Sequence, residues 1–452
     1  MFSIRGERRL RVVRSRIFAA VMLLGGVTAG SLSGGAEPPF DANAPRTLTQ
    51  YLQYAALHNA GLKAAFEEWR AALEQIPQAR ALPDPTFTYG YFIERVETRQ
   101  QAGIMQMFPW FGKIEARADA AAAGAKAAQR RYEAAKLELF AQVKDVFYEY
   151  AYLASATRIA RENVELMRHF EEVARAKYIT AAATHPDIIR AQIEVVRLQD
   201  ELITLERLRA PTVARANAAL NRPADAPLPW PQVEPIRSAE VSRDELIAAL
   251  RQQNPLLQAA SFDVERLGRE VDLAKRNYYP DIGVGVEWMD MDEDAMPDGD
   301  EGDEILVGIE LNLPIWRRSY KAAELQARAV ARRARYEREQ LANDLVSQAE
   351  RMLYEFEDSG RKLRLYAEAL VPKAEELVGA SEAAYTAGRI DFLSLVNAQQ
   401  TLLQYQLQRE RARANHQQRL AELESLIGAD VTGRRAARSE EHTSELQSRI
   451  TI

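Results

Sequence analysis

The residues best suited to chemistry in this chain are few and scattered. With no cysteine in 452 residues, a thiolate metal site, a Cys nucleophile, a disulfide framework and a lipid-bearing N-terminal Cys are all ruled out. The histidines, His58, His169, His185, His416 and His442, share no metal-ligand spacing. Carboxylates crowd one segment: Asp290 to Glu304 holds nine acidic residues in fifteen, with Met291 and Met296 inside it and Met289 just before. Hard oxygen and soft sulfur together form a mixed set for a metal ion, and the same run suits a solvated loop that cannot be buried. No constellation of His, carboxylate and nucleophile expected of a compact exported enzyme emerges. A net charge of −6 from 59 basic and 65 acidic side chains leaves no electrostatic footprint for nucleic acid.

The elements that must position these groups become clear once both ends are set aside. Arg5, Arg8, Arg9, Arg11, Arg14 and Arg16 precede an apolar run from Ile17 to Ala29 and then small residues through Ala36. This is the order of a secretory signal cleaved after Ala36. A membrane anchor would need about 20 apolar residues, more than the run supplies. At the other end, 431–452 forms a tail. From Arg438 onward it reads as the conceptual translation of a sequencing adapter, the alternative being a short polar tail.

Between the ends lies a duplication. Asn59, Leu62 and Ala64 recur as Asn254, Leu257 and Ala259; Pro85 as Pro280; Phe108-Pro109 as Leu313-Pro314; Tyr178 as Tyr385; and Ala191-Gln192 as Ala398-Gln399. The two copies span 37–222 and 240–430, joined by a Pro-rich, extended linker over 223–239.

Each copy has one order of elements: a helix, a two-stranded hairpin, a very long helix, a tight break and a second long helix. The first helix is expected from Leu48 to Arg80, capped near Thr47. Its counterpart starts near Ser242, where Ser242-Arg-Asp-Glu245 has the spacing of a capping box. Phe87, Tyr89, Tyr91 and Ile93 alternate with small or polar residues, as do Ile282, Val284, Val286 and Trp288, and Ile305, Val307, Ile309, Leu311 and Leu313. Such alternation predicts strands with one apolar face. The return strand of the first hairpin, around Ile104 to Phe108, rests mainly on the repeat. No proline interrupts Phe111 to His185 or Ile315 to Val371, and both stretches are rich in helix formers. A rod of some 65 residues would be about 100 Å long. The alanines Ala120 to Ala123, and Ala322, Ala323, Ala327, Ala329 and Ala331, fit either close helix approach or plain helix propensity. Four strands cannot close a barrel, whereas three copies would supply twelve.

The duplicated plan, the hairpins and the segment Tyr385-Thr-Ala-Gly388-Arg-Ile-Asp391-Phe-Leu-Ser394-Leu-Val-Asn397 resemble the TolC family of outer-membrane efflux ducts over residues 45 to 428. The resemblance implies a mainly α fold with a small β part. Long antiparallel helical hairpins would form an α-barrel, and four β-strands per chain would contribute to a trimeric, twelve-stranded transmembrane β-barrel. It implies a homotrimer set in outer-membrane lipid of a Gram-negative bacterium and extending into the periplasm, with no cofactor and no catalysis. Such a channel is the passive exit duct of a tripartite efflux pump or secretion system, working with a periplasmic adaptor (membrane fusion protein) and an inner-membrane RND or ABC transporter. An exported coiled-coil scaffold without channel activity is the alternative; it would not explain the recurring hairpins.

By the same resemblance, Asp187 and Tyr385 occupy positions of a gate-locking network at the periplasmic tip. Ile390 stands at its arginine position, with Arg389 adjacent, and Ser394 and Asn397 stand where an aspartate ring is expected. Asp187 equally suits an N-cap of the descending helix, and Gly388 a left-handed helix end. Ala181, Ala182, Ala387 and Gly388 are the expected adaptor-docking tip. The turn Gln106-Met-Phe-Pro109-Trp110-Phe111-Gly112-Lys113 is similar to the branch serving heavy-metal pumps. With Pro314 and Trp316, its Pro109, Trp110 and Phe111 are also a reading for a membrane-interface turn.

Overall fold

The computed structural model describes residues 45–93, 98–181, 183–233, 241–291 and 303–428. The expected leader, Ala182, most of the acidic loop with Met296, and the tail lie outside the described residues.

The first expected helix is in fact two, α1 (Leu48–His58) and α2 (Ala60–Arg80). Asn59 divides them because its extended backbone ends one helix while its side chain caps the next, accepting from the Leu62 N–H at 2.9 Å. Its amide also donates to the Ala219 carbonyl at 3.0 Å. Asn254 does the same between α5 (Arg243–Gln253) and α6 (Pro255–Arg276), accepting from Leu257 N–H at 2.8 Å and donating to Leu426 O at 2.7 Å. The asparagine that marks the repeat is therefore a capped corner pinned to the last helix of its own copy. Thr47 forms a capping box with Gln50, as its position suggests. The box expected at Ser242 does not form: Ser242 precedes α5, but its side chain makes no capping bond.

Strands β1 (Thr86–Tyr91), β2 (Thr98–Phe108), β3 (Ile282–Met291) and β4 (Glu304–Leu311) form one antiparallel sheet in the order β1-β2-β3-β4. The return strand β2 is longer than expected, whereas Ile93 and Leu313 fall outside the strands. The two hairpins join through β2 and β3, with Ile104 opposite Val286 and Phe108 opposite Ile282. This register places Phe87, Tyr89, Ile104, Val284, Val286, Val307 and Ile309 on one face. That face is uncovered, with Ile309 75% and Phe87 68% exposed. The opposite face carries Gly90, Gly103, Gly283, Gly285 and Gly308 with Met105, Met107, Glu287 and Glu310.

The first long helix, α3 (Lys113–Ile179), has 67 residues, about 100 Å at 1.5 Å each. It reverses into α4 (His185–Leu220). The second long run is α7 (Arg317–Arg364), then a π-helical segment Leu365–Leu370, then α8 (Val371–Thr386), with Pro372, which has no N–H to donate, directly after the π-helical segment. It reverses into α9 (Phe392–Ile427).

The cores show how the copies combine. One cluster belongs to the first copy (Tyr51, Phe147, Tyr150, Leu220), and the linker's Leu228 is buried in it. A second belongs to the other copy (Leu250, Leu353, Phe356, Leu423). The third is shared: Met167, Phe170 and Leu198 of α3 and α4 pack with Val378, Phe392 and Leu395 of α8 and α9. Alanine spacing works differently in the two copies. Ala116, Ala120, Ala123 and Ala127 are buried where α3 lies against α2 and α6, so close approach decides there. In α7 only Ala331 of the expected set is buried, while Ala322, Ala323 and Ala329 are exposed.

Both helix reversals use a left-handed residue three positions after the repeated tyrosine: Ala181 at φ 57° and Gly388 at φ 73°. A side chain is strained in this region and glycine is not. A Cβ at Gly388 would meet nothing within 4 Å, so backbone strain alone should set the effect. Gly388→Ala is expected to destabilise by about 1 kcal/mol, and Ala181→Gly to stabilise by a similar amount. Urea midpoints followed by far-UV circular dichroism check both; an unchanged Gly388→Ala midpoint would contradict the assignment.

Candidate functional site

Two places concentrate polar side chains: the tip where the helices reverse, and the junction where sheet meets helix.

At the tip, Thr184 is the N-cap of α4, which corrects the reading of Asp187 as the cap. Asp187 sits at the third helical position and reaches back, its Oδ2 accepting from the Thr184 N–H at 3.0 Å and hydroxyl at 2.7 Å. Arg190 lies 3.8 Å from its other oxygen. Tyr385 is buried, its ring edge-on to Phe392 at 5.4 Å and its hydroxyl without a hydrogen-bond partner among the described residues. Burial, and then the negative charge of Asp187, push the Tyr385 phenol above its ordinary pKa. Lys177 holds the second reversal from the first, with its ammonium over the Tyr385 ring and donating to the Tyr385 and Thr386 carbonyls.

The remaining expected tip residues are more dispersed. Arg389 is exposed, and Ile390 beside it packs against the shared core. Ser394 is engaged within the chain: Asp391, the N-cap of α9, accepts from its N–H at 2.9 Å and its hydroxyl at 2.6 Å. Those bonds hold the Asp391 carboxyl below its usual range. Asn397 is exposed one turn further on, and Ala181, Ala387 and Gly388 are exposed at the very end. The structure thus brings Asp187 near Tyr385 and leaves Arg389 and Asn397 facing outward. Sequence reading missed Arg190, Lys177 and Asp391. Asp391 and Arg190 had local signals, the Asp-x-x-Ser spacing at a helix start and the i,i+3 spacing of Asp187 and Arg190; Lys177 had none.

Above the tip a buried polar ladder crosses the shared core. Gln399 donates to Asn163, and Gln400 donates to Glu194 at 2.9 Å. Arg197 grips Glu194 with bonds of 2.9 and 3.0 Å from one nitrogen. Burial alone would raise the Glu194 pKa, but the bonds from Arg197 and Gln400 outweigh it and the net shift is downward.

At the junction, Asp281 is the organising residue, and it too was missed. Its Oδ1 accepts from the Trp110 N–H at 2.7 Å and from Lys113 Nζ at 2.7 Å, while Asn312 bonds its backbone and side chain. Lys113 also donates to the Tyr279 carbonyl at 3.0 Å. Trp110 stacks on Tyr279 with ring centroids 5.4 Å apart. Gly112 is left-handed at φ 79°, and a Cβ there would collide with the Arg276 guanidinium, which bonds Phe111 O. One carboxylate therefore ties together the strand exits of both copies. Pro109, Trp110 and Pro314 are half-buried, and Phe111 and Trp316 are 80% and 74% exposed. No helix among the described residues is long and apolar enough to cross a membrane, and no group of His, Asp and Glu there could hold a metal ion.

Long hairpin helices on a small sheet with an uncovered apolar face define a channel-type architecture, and the comparisons agree. The outer membrane efflux protein family matches residues 51–222 and 246–429, and the chain belongs to that family, one of channels and not of enzymes. The chain is 23% identical to the cobalt-zinc-cadmium resistance protein CzcC of Cupriavidus metallidurans over 387 residues, covering 81% of this chain and 86% of that one. In fold it is similar to the outer membrane protein VceC of Vibrio cholerae, with a TM-score of 0.70 at 16% identity over 85% of this chain and 96% of that one. It is also similar to the open state of the MtrE outer membrane channel of Neisseria gonorrhoeae, with a TM-score of 0.68 at 16% identity over 90% and 96%.

The pair formed by the buried Lys113 and the half-buried Asp281 generates a direct test. Asp281→Ala leaves a buried ammonium unpaired and is expected to cost about 3–5 kcal/mol. The double change Lys113→Met with Asp281→Leu removes the stranded charge and should recover part of that loss. Thermal midpoints of the detergent-extracted protein measure both; a tolerated Asp281→Ala would refute the organising role.

Proposed function

We propose that three copies of this chain pool their sheets into a twelve-stranded barrel in the outer membrane and their helical hairpins into a periplasmic tube, forming the exit duct of a tripartite efflux pump. The observation that carries this reading is the sheet itself. Among the described residues its outer strands β1 and β4 each pair on one side only, and its apolar face is uncovered. In a bilayer every backbone N–H and C=O needs a partner, so such edges must be closed by further strands. Polar and aromatic groups frame the apolar band. Gln106 bonds Pro83 O at one end, with Trp110, Phe111 and Trp316 nearby; Tyr89, Gln100 and Asp290 lie toward the other. Two such rims suit the two interfaces of a membrane.

Transport through the duct is passive, with energy supplied by an inner-membrane transporter of the RND or ABC type acting through a periplasmic adaptor. The exposed Ala181, Ala387 and Gly388 are the surface offered to that adaptor. Metal ions are favoured over drugs as cargo, supported by the likeness to CzcC and by the turn from Gln106 to Lys113. Asp187, Tyr385 and Arg389 act in gating at the tip, with Arg190 the cation nearest Asp187. Ser394 and Asn397 leave the neck without a carboxylate ring.

Fractionation, detergent size exclusion and planar-bilayer recording test the duct: an outer-membrane trimer that conducts ions is expected, and a soluble monomer would refute it. In the same recordings, block by multivalent cations should be weak. Asn397→Asp, which would place a carboxylate ring in the neck, should lower the blocking concentration about tenfold.

A further inference from the structure

We infer that the glycine-rich face of the sheet holds a binding site for a soft monovalent cation, Cu(I) or Ag(I), built from Met105, Met107 and Glu310 over Gly283. The register sets up the convergence. Met107 and Glu310 stand directly opposite Gly283 from its two sides, and Met105 stands opposite Gly285. Strands β2 and β4 are two strand spacings apart, about 10 Å. A side chain at position 283 would separate what they carry. Glycine leaves the space open: the point where a Cβ would sit lies 3.1 Å from Met105 Sδ, 3.4 Å from Met107 Cε and 3.1 Å from Glu310 Cβ. The Met105 sulfur, the Met107 methyl and the Glu310 β-carbon therefore meet above one glycine, and rotation about the flexible side chains brings the second sulfur and the carboxylate within reach of the same point.

The chemistry selects the ion class. Thioether sulfur prefers Cu(I) and its analogue Ag(I) over Zn(II) or Co(II), which favour imidazole, carboxylate and water. A single carboxylate neutralises a monovalent cation and leaves a divalent one half-compensated. Glu310 is exposed and has no ion pair among the described residues, so its charge is available. Methionine placement sharpens the case. After the expected leader, Met167 and Met352 lie in or against helical cores, and Met105, Met107, Met289 and Met291 belong to the strands. The absence of cysteine removes the ligand that would otherwise capture such an ion.

That this face is the lumen rests on the barrel reading above; the convergence over Gly283 does not. In the barrel the site lies at the sheet's helix-facing end, where cargo would pass from tube to barrel.

Equilibrium dialysis of Ag(I) against the detergent-extracted full chain, in chloride-free nitrate buffer with metal read by mass spectrometry, tests binding without requiring conduction. Saturable Ag(I) binding is expected, not displaced by tenfold Zn(II) or Co(II). Met105→Leu with Met107→Leu should weaken it at least about tenfold, and Glu310→Gln to a smaller extent. Met352→Leu, remote from the sheet, should leave it unchanged. Unaltered binding in the double variant, or equal loss in Met352→Leu, would overturn the site. Bilayer recordings separate the two readings: Ag(I) should lower the conductance of the native channel and not of the double variant. A conducting channel that binds no Ag(I) in dialysis sinks the site and leaves the duct standing. Ag(I) binding by a protein that does not conduct sinks the duct and leaves the site.

Discussion

An uncovered apolar sheet face whose outer strands pair on one side only is the constraint around which this molecule is arranged. In water the face would be an aggregation surface, and in a bilayer the unpaired backbone groups would each cost several kcal/mol. Neither problem has a solution within four strands. The chain supplies what a larger closed sheet requires: a continuous apolar band, polar and aromatic rims at both ends, and small residues on the face turned inward. The helices do not cover the sheet but continue away from it, and the charged and stacked contacts around Asp281 hold both strand exits where they meet the helices.

The duplication becomes one unit at three levels. Strands β2 and β3 pair across the copies, so neither hairpin stands alone. Helix α3 packs along α6, with Arg131 of one copy paired to Asp263 of the other. The distal core draws side chains from all four hairpin helices. Each copy also keeps a private core near its Asn corner. Between the two shared ends the copies remain tied by Lys144 to Glu424 and by Arg411 to Glu149.

The two reversals show how equivalent positions diverge. Both place a residue in the left-handed region, but one uses glycine and the other alanine. Lys177 clamps the second reversal through backbone carbonyls, and Asp187 faces the second copy's tyrosine. The tip is thus asymmetric within a chain even though its scaffold is repeated, and the polar ladder through Asn163, Gln399 and Glu194 fixes the register of the helices that carry it.

What the amino-acid order determined by itself was local and periodic. Alternation in residues 282–291 and 304–311 set the strands, proline-free runs set the rods, Thr47 set a cap, and the recurrence of Asn59 as Asn254 exposed the duplication. Each signal depends on neighbours within a few residues or on comparison of the chain with itself. Asp281 and Lys177 carried no such signal, because their partners lie far away in sequence. The corners at Asn59 and Asn254 were hidden for a similar reason: the bonds that pin them reach Ala219 and Leu426. Tertiary structure alone decided that the alanines of α3 are buried while most of those in α7 are exposed, since helix propensity is identical in both and only the neighbouring helix differs. It alone also brought Met105, Met107 and Glu310 over Gly283, because register between strands is set by the pairing of distant segments and not by either strand's own sequence.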